Sequence, residues 1–247
     1  MYNNILDVKG LKVGQVEDRN GLTGCTVVIC EEGAVCGVDV RGGGPGTRET
    51  DLLNPINMIQ KVHAVVLSGG SAFGLESTCG VSKYLEENNI GFDVGVAKVP
   101  IVVGAVLFDL GVGNPKSRPN IEMGYRACQV ASDTKLNQGN FGAGCGATVG
   151  KIKGIEYAMK GGIGSHSIKL PNGLVVSALV AVNAFGDVYE NGKVIAGVMD
   201  DEKKNVLNSY ELMKNGVNKG GFSIDNTTIG IVATNAKLDK AGCKKVS

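Results

Sequence analysis

The feature that most constrains the fold is a stretch near the end of the chain, residues 225–236 (DNTTIGIVATNA). It begins as a short polar turn and continues as an apolar, β-branched run, which is typical of a loop that enters a buried strand. The hydroxyl of Thr227 lies at this junction, and side chains presented on loops at the ends of strands often carry chemistry. Alternatively, Thr227 and Thr228 are ordinary strand residues, since β-branched side chains suit a pleated sheet. The pattern by itself favours this second interpretation.

The rest of the chain alternates paired strands with helices, which predicts an α+β fold. Strands are predicted from apolar runs at residues 11–16, 24–30, 34–40, 62–68, 165–170 and 174–183. Hairpin turns are predicted at residues 31–33 and 171–173. A nearly all-apolar run, residues 96–110, indicates a segment buried on both faces. Helices are predicted at residues 75–87, 121–131 and 202–214, and a polar linker at 217–225. The length fits one large domain or two small ones, and we treat residues 1–247 as a single domain.

The overall composition excludes several classes of partner. Lys and Arg total 25 against 24 for Asp and Glu, so no electrostatic footprint for nucleic acid or an anionic membrane is present. No run of about twenty apolar residues occurs, so no membrane span is expected. The seven cysteines include no CxxC pair and accompany only two histidines, which argues against a zinc site. Cysteines in apolar runs, and an N-terminus without a signal-peptide pattern, favour a reducing, cytoplasmic location. We expect no metal and no cofactor.

Three glycine-rich segments lie next to predicted strands, at residues 42–51, 68–74 and 142–151. The first is flanked by Arg41 and contains Arg48, so it is either the wall of a carboxylate-binding site or a surface turn with internal ion pairs. The second opens a helix, and the N-terminus of a helix can hold an anion. It is neither a GxGxxG motif nor a P-loop, so a nucleotide site is not expected. The third lets another backbone or a substrate approach closely.

Two polar side chains stand alone in predicted strands. For His63, a buried and hydrogen-bonded role is favoured over a catalytic one, because no Ser-His-Asp spacing converges on it. Asn183 is a lone amide inside an apolar run. A buried amide needs hydrogen-bond partners or a chemical function, so Asn183 is a candidate for either.

Three stretches together carry a resemblance to a known family. They are residues 42–51 with 68–74 (GGGPGTRETD, SGGSAFG), 142–151 with 159–164 (GAGCGATVGK, MKGGIG), and 226–236 (NTTIGIVATNA). In this order they resemble the L-aminopeptidase/D-amidase/D-esterase (DmpA-like) family, and most closely its branch of endo-type 6-aminohexanoate-oligomer hydrolases. The similarity runs along essentially the whole chain and is therefore more specific than any single glycine cluster. The related ornithine acetyltransferase shares the fold type and a threonine nucleophile.

The resemblance implies an αββα layered sandwich of the N-terminal-nucleophile-hydrolase type, made by a precursor that cuts itself. At the matching position of this sequence, the peptide bond that is cut lies between Asn226 and Thr227. Residues 1–226 then form the α chain, and residues 227–247 form the start of the β chain. Thr227 then becomes the nucleophile. Its liberated α-amine, with a reference pKa of about 7.7–8.0, acts as the base at neutral pH. The implied activity is hydrolysis of amide bonds in small peptides or other linear amides.

Two further catalytic residues follow from the resemblance. Asn183 matches the asparagine that stabilises the oxyanion, because a side-chain amide can donate to developing negative charge. Lys151 matches a lysine that some members place near the nucleophile, although Lys153 is close enough in sequence to be the alternative.

The substrate-binding residues implied are Gly69, Gly70, Gly144 and Phe108. Phe108 lies where several members place a tyrosine, and a phenylalanine side chain cannot donate a hydrogen bond. The sequence ends at Ser247, before several elements that members of the family usually contain. We therefore expect that the C-terminal segment of the domain is missing from this chain.

Two other functions are compatible with the same scaffold. One is an acyltransferase of the ornithine acetyltransferase type, in which an amine replaces water as the acceptor. The other is an inactive, truncated binding protein. The family resemblance also implies a homo-oligomer, with a tetramer favoured, and closed symmetric assembly is the common case.

Overall fold

Two β-sheets that pack face to face organise the fold. The computed structural model describes residues 1–217 and 226–247. The strands are β1 (Leu11–Asp18), β2 (Thr23–Ala34), β3 (Thr47–Arg48), β4 (Val62–Ser68), β5 (Phe92–Asp93), β6 (Lys98–Val99), β7 (Val102–Val106), β8 (Thr148–Val149), β9 (Met159–Lys160), β10 (Gly162–Lys169), β11 (Val175–Asn183), β12 (Val188–Glu190), β13 (Lys193–Ala196) and β14 (Thr227–Thr234). The α-helices are α1 (Ser77–Glu87), α2 (Ile121–Gln129), α3 (Ser209–Lys214) and α4 (Lys240–Val246). Short 3-10 helices lie at Ile5–Asp7, Asp51–Leu53, Ser71–Glu76, Gly142–Gly144 and Ile155–Tyr157.

The first sheet has the strand order β1-β2-β4-β7-β3. Strands β4 and β7 run parallel, as expected for strands joined by a crossover that contains helix α1, and the other neighbours are antiparallel. Side chains alternate between the two faces. In β2, Val27 and Ile29 contact the helices, whereas Val28 points to the second sheet.

The second sheet has the order β10-β11-β14 and is antiparallel throughout. Alternate residues of β11 are buried, as expected for a strand with one face on a core. Leu179 of β11 and Ile231 of β14 pack in one cluster with Val28 and Leu67 of the first sheet. The space between the two sheets is therefore a major core of the protein.

Helices α1 and α2 cover the outer face of the first sheet, with Val81, Leu85 and Ala127 buried against it. The resulting order of helix, sheet and sheet agrees with three layers of the expected αββα sandwich and with the α+β prediction. The outer face of the second sheet carries Ile168, which is 59% exposed, and Val232, which is 74% exposed. No helix formed by residues 1–217 or 226–247 covers these two side chains.

The predicted strand at residues 34–40 and the turn at 31–33 are wrong. Strand β2 continues to Ala34, and residues 35–46 contain neither helix nor strand. The reason is that β2 is already paired on both sides, with β1 and with β4, so the first sheet has no edge beside it for another strand. Cys36 and Val38 instead pack against the apolar cluster that contains Leu53.

Two other predicted segments differ from the structure, and a third lies almost entirely outside the described residues. The apolar run at 96–110 gives only the short β6 and the strand β7, which lies between β4 and β3 in the first sheet. The helix predicted at 202–214 starts at Ser209, because the Asn208 side chain caps it by accepting a 3.1 Å hydrogen bond from the backbone of Glu211. The linker predicted at 217–225 lies, except for Val217, outside the described residues. The other predicted strands and helices are confirmed, most of them with shifted ends. The strand after Thr227 is not fully buried as expected, because β14 lies at the edge of the second sheet and exposes alternate residues.

Candidate active site

The end of β11 and the start of β14 bring Asn183 and Thr227 together. The two residues lie directly opposite each other in the antiparallel register. This register sets their Cβ atoms about 4.5–5.5 Å apart on one face of the sheet. That face points into the molecule, since Asn183 is 0% exposed and Thr227 is half-buried, whereas Thr228 is exposed on the other face. The predicted nucleophile therefore lies beside the predicted oxyanion-stabilising amide.

Hydrogen bonds hold the Asn183 side chain at both ends. Its Oδ1 accepts from the backbone N–H of Thr148 at 2.9 Å and from Lys151 Nζ at 2.9 Å. Its Nδ2 donates to the carbonyl oxygen of Phe108 at 2.8 Å. A lysine ammonium has no acceptor atom and a carbonyl has no donor, so only this orientation of the amide satisfies both neighbours. The Asn183 amide is therefore fixed rather than free to flip.

Lys151 is the lysine that contacts this amide. It is 2% exposed, and its Nζ also donates to the backbone carbonyl of Asn183 at 3.0 Å. Lys153, the alternative, points elsewhere: its Nζ lies 2.6 Å from an oxygen of Asp201 and 4.2 Å from the centre of the Tyr157 ring. Of the two lysines, Lys151 is therefore the one that contacts Asn183, and a catalytic role for it stays a prediction.

Phe108 contacts Asn183 through its backbone. Its carbonyl oxygen is the acceptor for Asn183 Nδ2, and its side chain is half-buried. A role of the Phe108 ring in substrate binding stays a prediction. The contact observed is one that any residue could make at this position, because it uses the main chain.

The turn at Gly69 and Gly70 is shaped around a carboxylate. The backbone N–H of Gly70 donates to Asp109 Oδ1 at 2.7 Å, and the hydroxyl of Thr23 donates to Asp109 Oδ2 at 2.8 Å. A Cβ at Gly69 would collide with this carboxylate. Asp109 is 2% exposed, and burial raises the pKa of its carboxyl above the ordinary value. Asp109 is not among the site residues predicted from the sequence, although a charged residue near the end of the apolar run at 96–110 is a signal that could have found it.

Gly144 packs against backbone. A Cβ at this position would lie 2.6 Å from the carbonyl oxygen of Gly139 and would collide with the backbone N of Ile163 in β10. The close approach expected from the sequence is therefore one between two segments of the chain. Nearby, the Lys160 ammonium donates to the carbonyl oxygen of Cys145, and burial lowers the pKa of Lys160. Substrate binding by Gly144, Gly69 and Gly70 stays a prediction.

The arginines of the first glycine-rich segment are used internally. Arg48 donates to Thr78 Oγ1 at 2.8 Å, and Arg41 pairs with Asp39 at 2.6 Å on the surface. These contacts favour the interpretation as a turn with internal polar contacts over that of a carboxylate-binding wall. His63 is likewise structural: it is buried, and its Nδ1 accepts from the backbone of Ile101 at 3.2 Å.

The described residues lack two features, a metal-binding cluster and a membrane-spanning helix. Within residues 1–217 and 226–247, no group of three or more His, Cys, Asp or Glu side chains could hold a metal ion. The helices of that same part of the chain are too short or too polar to cross a bilayer.

Asn226, the residue before the proposed cut, is exposed and immediately precedes β14.

Comparison with known proteins reveals relatives over nearly the whole chain. An uncharacterized aminopeptidase of Mycobacterium leprae is 41% identical over an alignment of 263 positions, gaps included, that covers 99% of this chain and 71% of that protein. The 6-aminohexanoate-oligomer endohydrolase of a Kocuria strain is 28% identical over 241 residues, which span 94% of this chain but 63% of the relative. The chain thus corresponds to about two thirds of the length of these proteins.

Solved structures share the fold. The L-aminopeptidase D-Ala-esterase/amidase of Ochrobactrum anthropi, described as a variant of the Ntn hydrolase fold, superposes with a TM-score of 0.70 at 17% identity. That match covers 99% of this chain and 66% of the other. A Burkholderia β-aminopeptidase superposes with a TM-score of 0.63 at 21% identity, over 100% of this chain and 65% of the other. The expected N-terminal-nucleophile-hydrolase-like fold is confirmed.

The family model for Peptidase family S58 matches residues 3–247. This match covers nearly the full sequence and agrees with the aminopeptidase and amide-hydrolase names of the relatives. The chain therefore belongs to Peptidase family S58, a family of hydrolases that act on amide bonds.

Proposed function

We propose that the protein is a self-processing aminopeptidase or amidase in which Thr227 is the nucleophile for both self-cleavage and substrate hydrolysis. The observation that carries this proposal is the position of Thr227 directly opposite Asn183, whose amide is held in one orientation at the end of β11. A nucleophile next to a fixed amide donor is the arrangement that acyl transfer through a tetrahedral intermediate requires.

Self-cleavage needs only groups of the chain and water. The Thr227 hydroxyl oxygen attacks the carbonyl carbon of Asn226, and the C–N bond between the two residues breaks. The hydroxyl proton passes to the departing amine, which becomes the N-terminus of Thr227. Water then hydrolyses the ester, which returns the hydroxyl and leaves a carboxylate on Asn226. A free α-amine with a reference pKa of about 7.7–8.0 is then available as the base.

Substrate hydrolysis repeats the same chemistry on an external amide. Thr227 Oγ attacks the substrate carbonyl while its α-amine takes the hydroxyl proton, the substrate C–N bond breaks, and the proton is given to the leaving amine. Water then hydrolyses the ester on Thr227 Oγ, which releases the acid and restores the hydroxyl. In this proposal the Asn183 amide donates to the developing oxyanion. Lys151 keeps that amide in place and adds positive charge beside it. Preorganised donors of this kind are often the largest single contribution to catalysis.

The substrate class proposed is small peptides or other short linear amides. The relative named as an aminopeptidase is 41% identical to this chain, and the relative named as a 6-aminohexanoate-oligomer endohydrolase is 28% identical. The higher identity favours peptides over ω-amino oligomers as the preferred substrate.

Mass spectrometry of the full-length protein tests the proposal. Two chains that separate between Asn226 and Thr227, together with hydrolysis of dipeptide amides, support it. An intact chain without amidase activity contradicts it. If added amines yield an amide product in place of free acid, the enzyme is an acyltransferase that uses the same ester. Parallel assays with dipeptides and with 6-aminohexanoate oligomers then identify the better substrate through kcat/KM.

A further inference from the structure

Asp109 is buried close to the Asn183 amide yet has no part in the chemistry described above. Its two carboxylate oxygens accept from the Gly70 backbone N–H at 2.7 Å and from the Thr23 hydroxyl at 2.8 Å. A Cβ at Gly69 or at Gly146 would collide with the same carboxylate. Two glycine-rich turns, distant in sequence, therefore pack around one side chain.

The covalent structure links this carboxylate to the amide. The carbonyl of Phe108 and the N–H of Asp109 belong to one planar peptide unit, so the position of the Asp109 Cα fixes one end of that plane. The other end is the Phe108 Cα, which also belongs to the preceding peptide unit, whose Leu107 carbonyl accepts from the Ser71 N–H at 2.9 Å. The Phe108 carbonyl at the centre of this segment accepts from Asn183 Nδ2 at 2.8 Å.

We infer that Asp109 is a positioning residue that aims the Asn183 amide by anchoring the peptide unit between Phe108 and Asp109. Its side chain holds Cα109 against the Gly70 turn and Thr23, the peptide plane holds the Phe108 carbonyl, and that carbonyl holds Asn183 Nδ2. Burial of a carboxylate is costly unless it is hydrogen-bonded, and the two hydrogen bonds satisfy that requirement. This inference rests on the proposed role of Asn183 in catalysis.

The geometry predicts different effects for two substitutions. Asp109→Asn keeps the shape and an oxygen that can accept from Gly70, and its NH₂ can donate to the Thr23 oxygen, so the plane stays anchored. Asp109→Ala removes both anchors. Because a shift of about 1 Å in a catalytic group can cost about a hundredfold in rate, we expect kcat of Asp109→Ala to fall about tenfold to a hundredfold. KM is expected to change by less than about threefold, since no substrate contact is removed.

A double-mutant cycle in the full-length protein tests the inference. A residue that acts through Asn183 has no further effect once Asn183 is absent. We therefore expect Asp109→Ala to slow hydrolysis strongly in the wild-type background and by less than about twofold in the Asn183→Ala background. Asp109→Asn should restore most of the rate. Equal losses in both backgrounds, or a change in thermal stability without a change in kcat, would overturn the inference.

Two controls complete the design. Asp7 also accepts from backbone N–H groups and from a hydroxyl, that of Ser167, at the opposite end of the second sheet, so Asp7→Asn and Asp7→Ala should leave kcat unchanged. If Asp109→Ala does not fold, Thr23→Val removes one anchor with little change of shape, and it should lower kcat about threefold to tenfold only when Asn183 is present. A Thr23→Val rate equal to wild type would then refute the inference. If Asn183→Ala itself has normal turnover, the proposed function fails instead.

Discussion

Lys151 contacts Asn183 twice: its Nζ lies 2.9 Å from the side-chain Oδ1 and 3.0 Å from the backbone carbonyl oxygen of the same residue. Both residues are buried, so this pairing joins the loop after β8 to the last residue of β11. One ammonium thus fixes both the main chain and the amide of Asn183. The consequences of this arrangement can be measured.

Replacing Lys151 with methionine should impair both activity and stability. The change removes two hydrogen bonds to Asn183, so we expect a lower kcat and a loss of about 1–3 kcal/mol in the free energy of unfolding. Lys153→Met is the matched control for activity, because Lys153 contacts Asp201 and the Tyr157 ring rather than Asn183 and should therefore keep the wild-type kcat. Steady-state kinetics and urea unfolding measure the two effects. Equal behaviour of the two variants would show that the contacts of Lys151 do not matter.

Thr227→Ala should abolish self-cleavage and hydrolysis together, because one hydroxyl serves both reactions. Thr228→Ala changes the adjacent threonine, which is exposed on the opposite face of β14, and should keep both. Mass spectrometry reports the cleavage, and an amidase assay reports the turnover. Normal cleavage in Thr227→Ala would place the nucleophile elsewhere.

Asn183→Ala should lower kcat by about a hundredfold or more, the usual loss for one oxyanion donor. Because the amide is buried with hydrogen bonds at both ends, the variant should also lose stability. Ser177→Ala removes another buried polar side chain from the same face of β11 and is the control for stability alone. If both variants lose stability but keep full specific activity, Asn183 is only a structural amide.

Gly144→Ala should reduce folded protein and activity, because its Cβ would press on the backbone of Gly139 and Ile163. Gly164→Ala is the better comparison, since a Cβ there has only the Gln138 side chain within 4 Å, at 3.8 Å. Gly192 would be a poorer control, because its positive φ of 77° means that any side chain there is strained. Thermal melts and activity of the two alanine variants give the answer, and similar values for both would contradict the crowding at Gly144.

The neutral form of His63 should make stability depend on pH. Burial, together with nearby Lys61 and Lys98, lowers the pKa of His63 below 6.5, and its Nδ1 must be unprotonated to accept from Ile101. Below pH 6.5 the unfolded chain therefore binds a proton that the folded chain does not, so this contribution to stability is present above pH 6.5 and is lost as the pH falls through the window below it. Urea unfolding between pH 5 and 7.5 should show a steeper decline for wild type than for His63→Gln. His166→Gln, a change at an exposed histidine, should retain the wild-type slope.

The apolar runs of the sequence predicted most of the strands. The runs at residues 174–183 and after Thr227 indicated β11 and β14, because apolar and β-branched side chains suit strands that pack on a core. The family resemblance pointed to Thr227, Asn183 and Lys151, and the structure brings the three into one place. The strand predicted at 34–40 failed because local pattern does not reveal that both edges of β2 are already occupied.

Only the tertiary structure shows that Lys151 rather than Lys153 contacts Asn183 and that Phe108 contacts it through the backbone carbonyl. It also shows that the turn at Gly69 and Gly70 packs around the Asp109 carboxylate. Lys151 and Lys153 are two positions apart, and their different partners depend on β11 and on Asp201, far along the chain. Asp109 had only a weak signal in the sequence, because its partners come from segments around residues 23 and 70. Local preferences fix where strands and helices form, but contacts between distant segments are set by register and packing, which exist only in the folded chain.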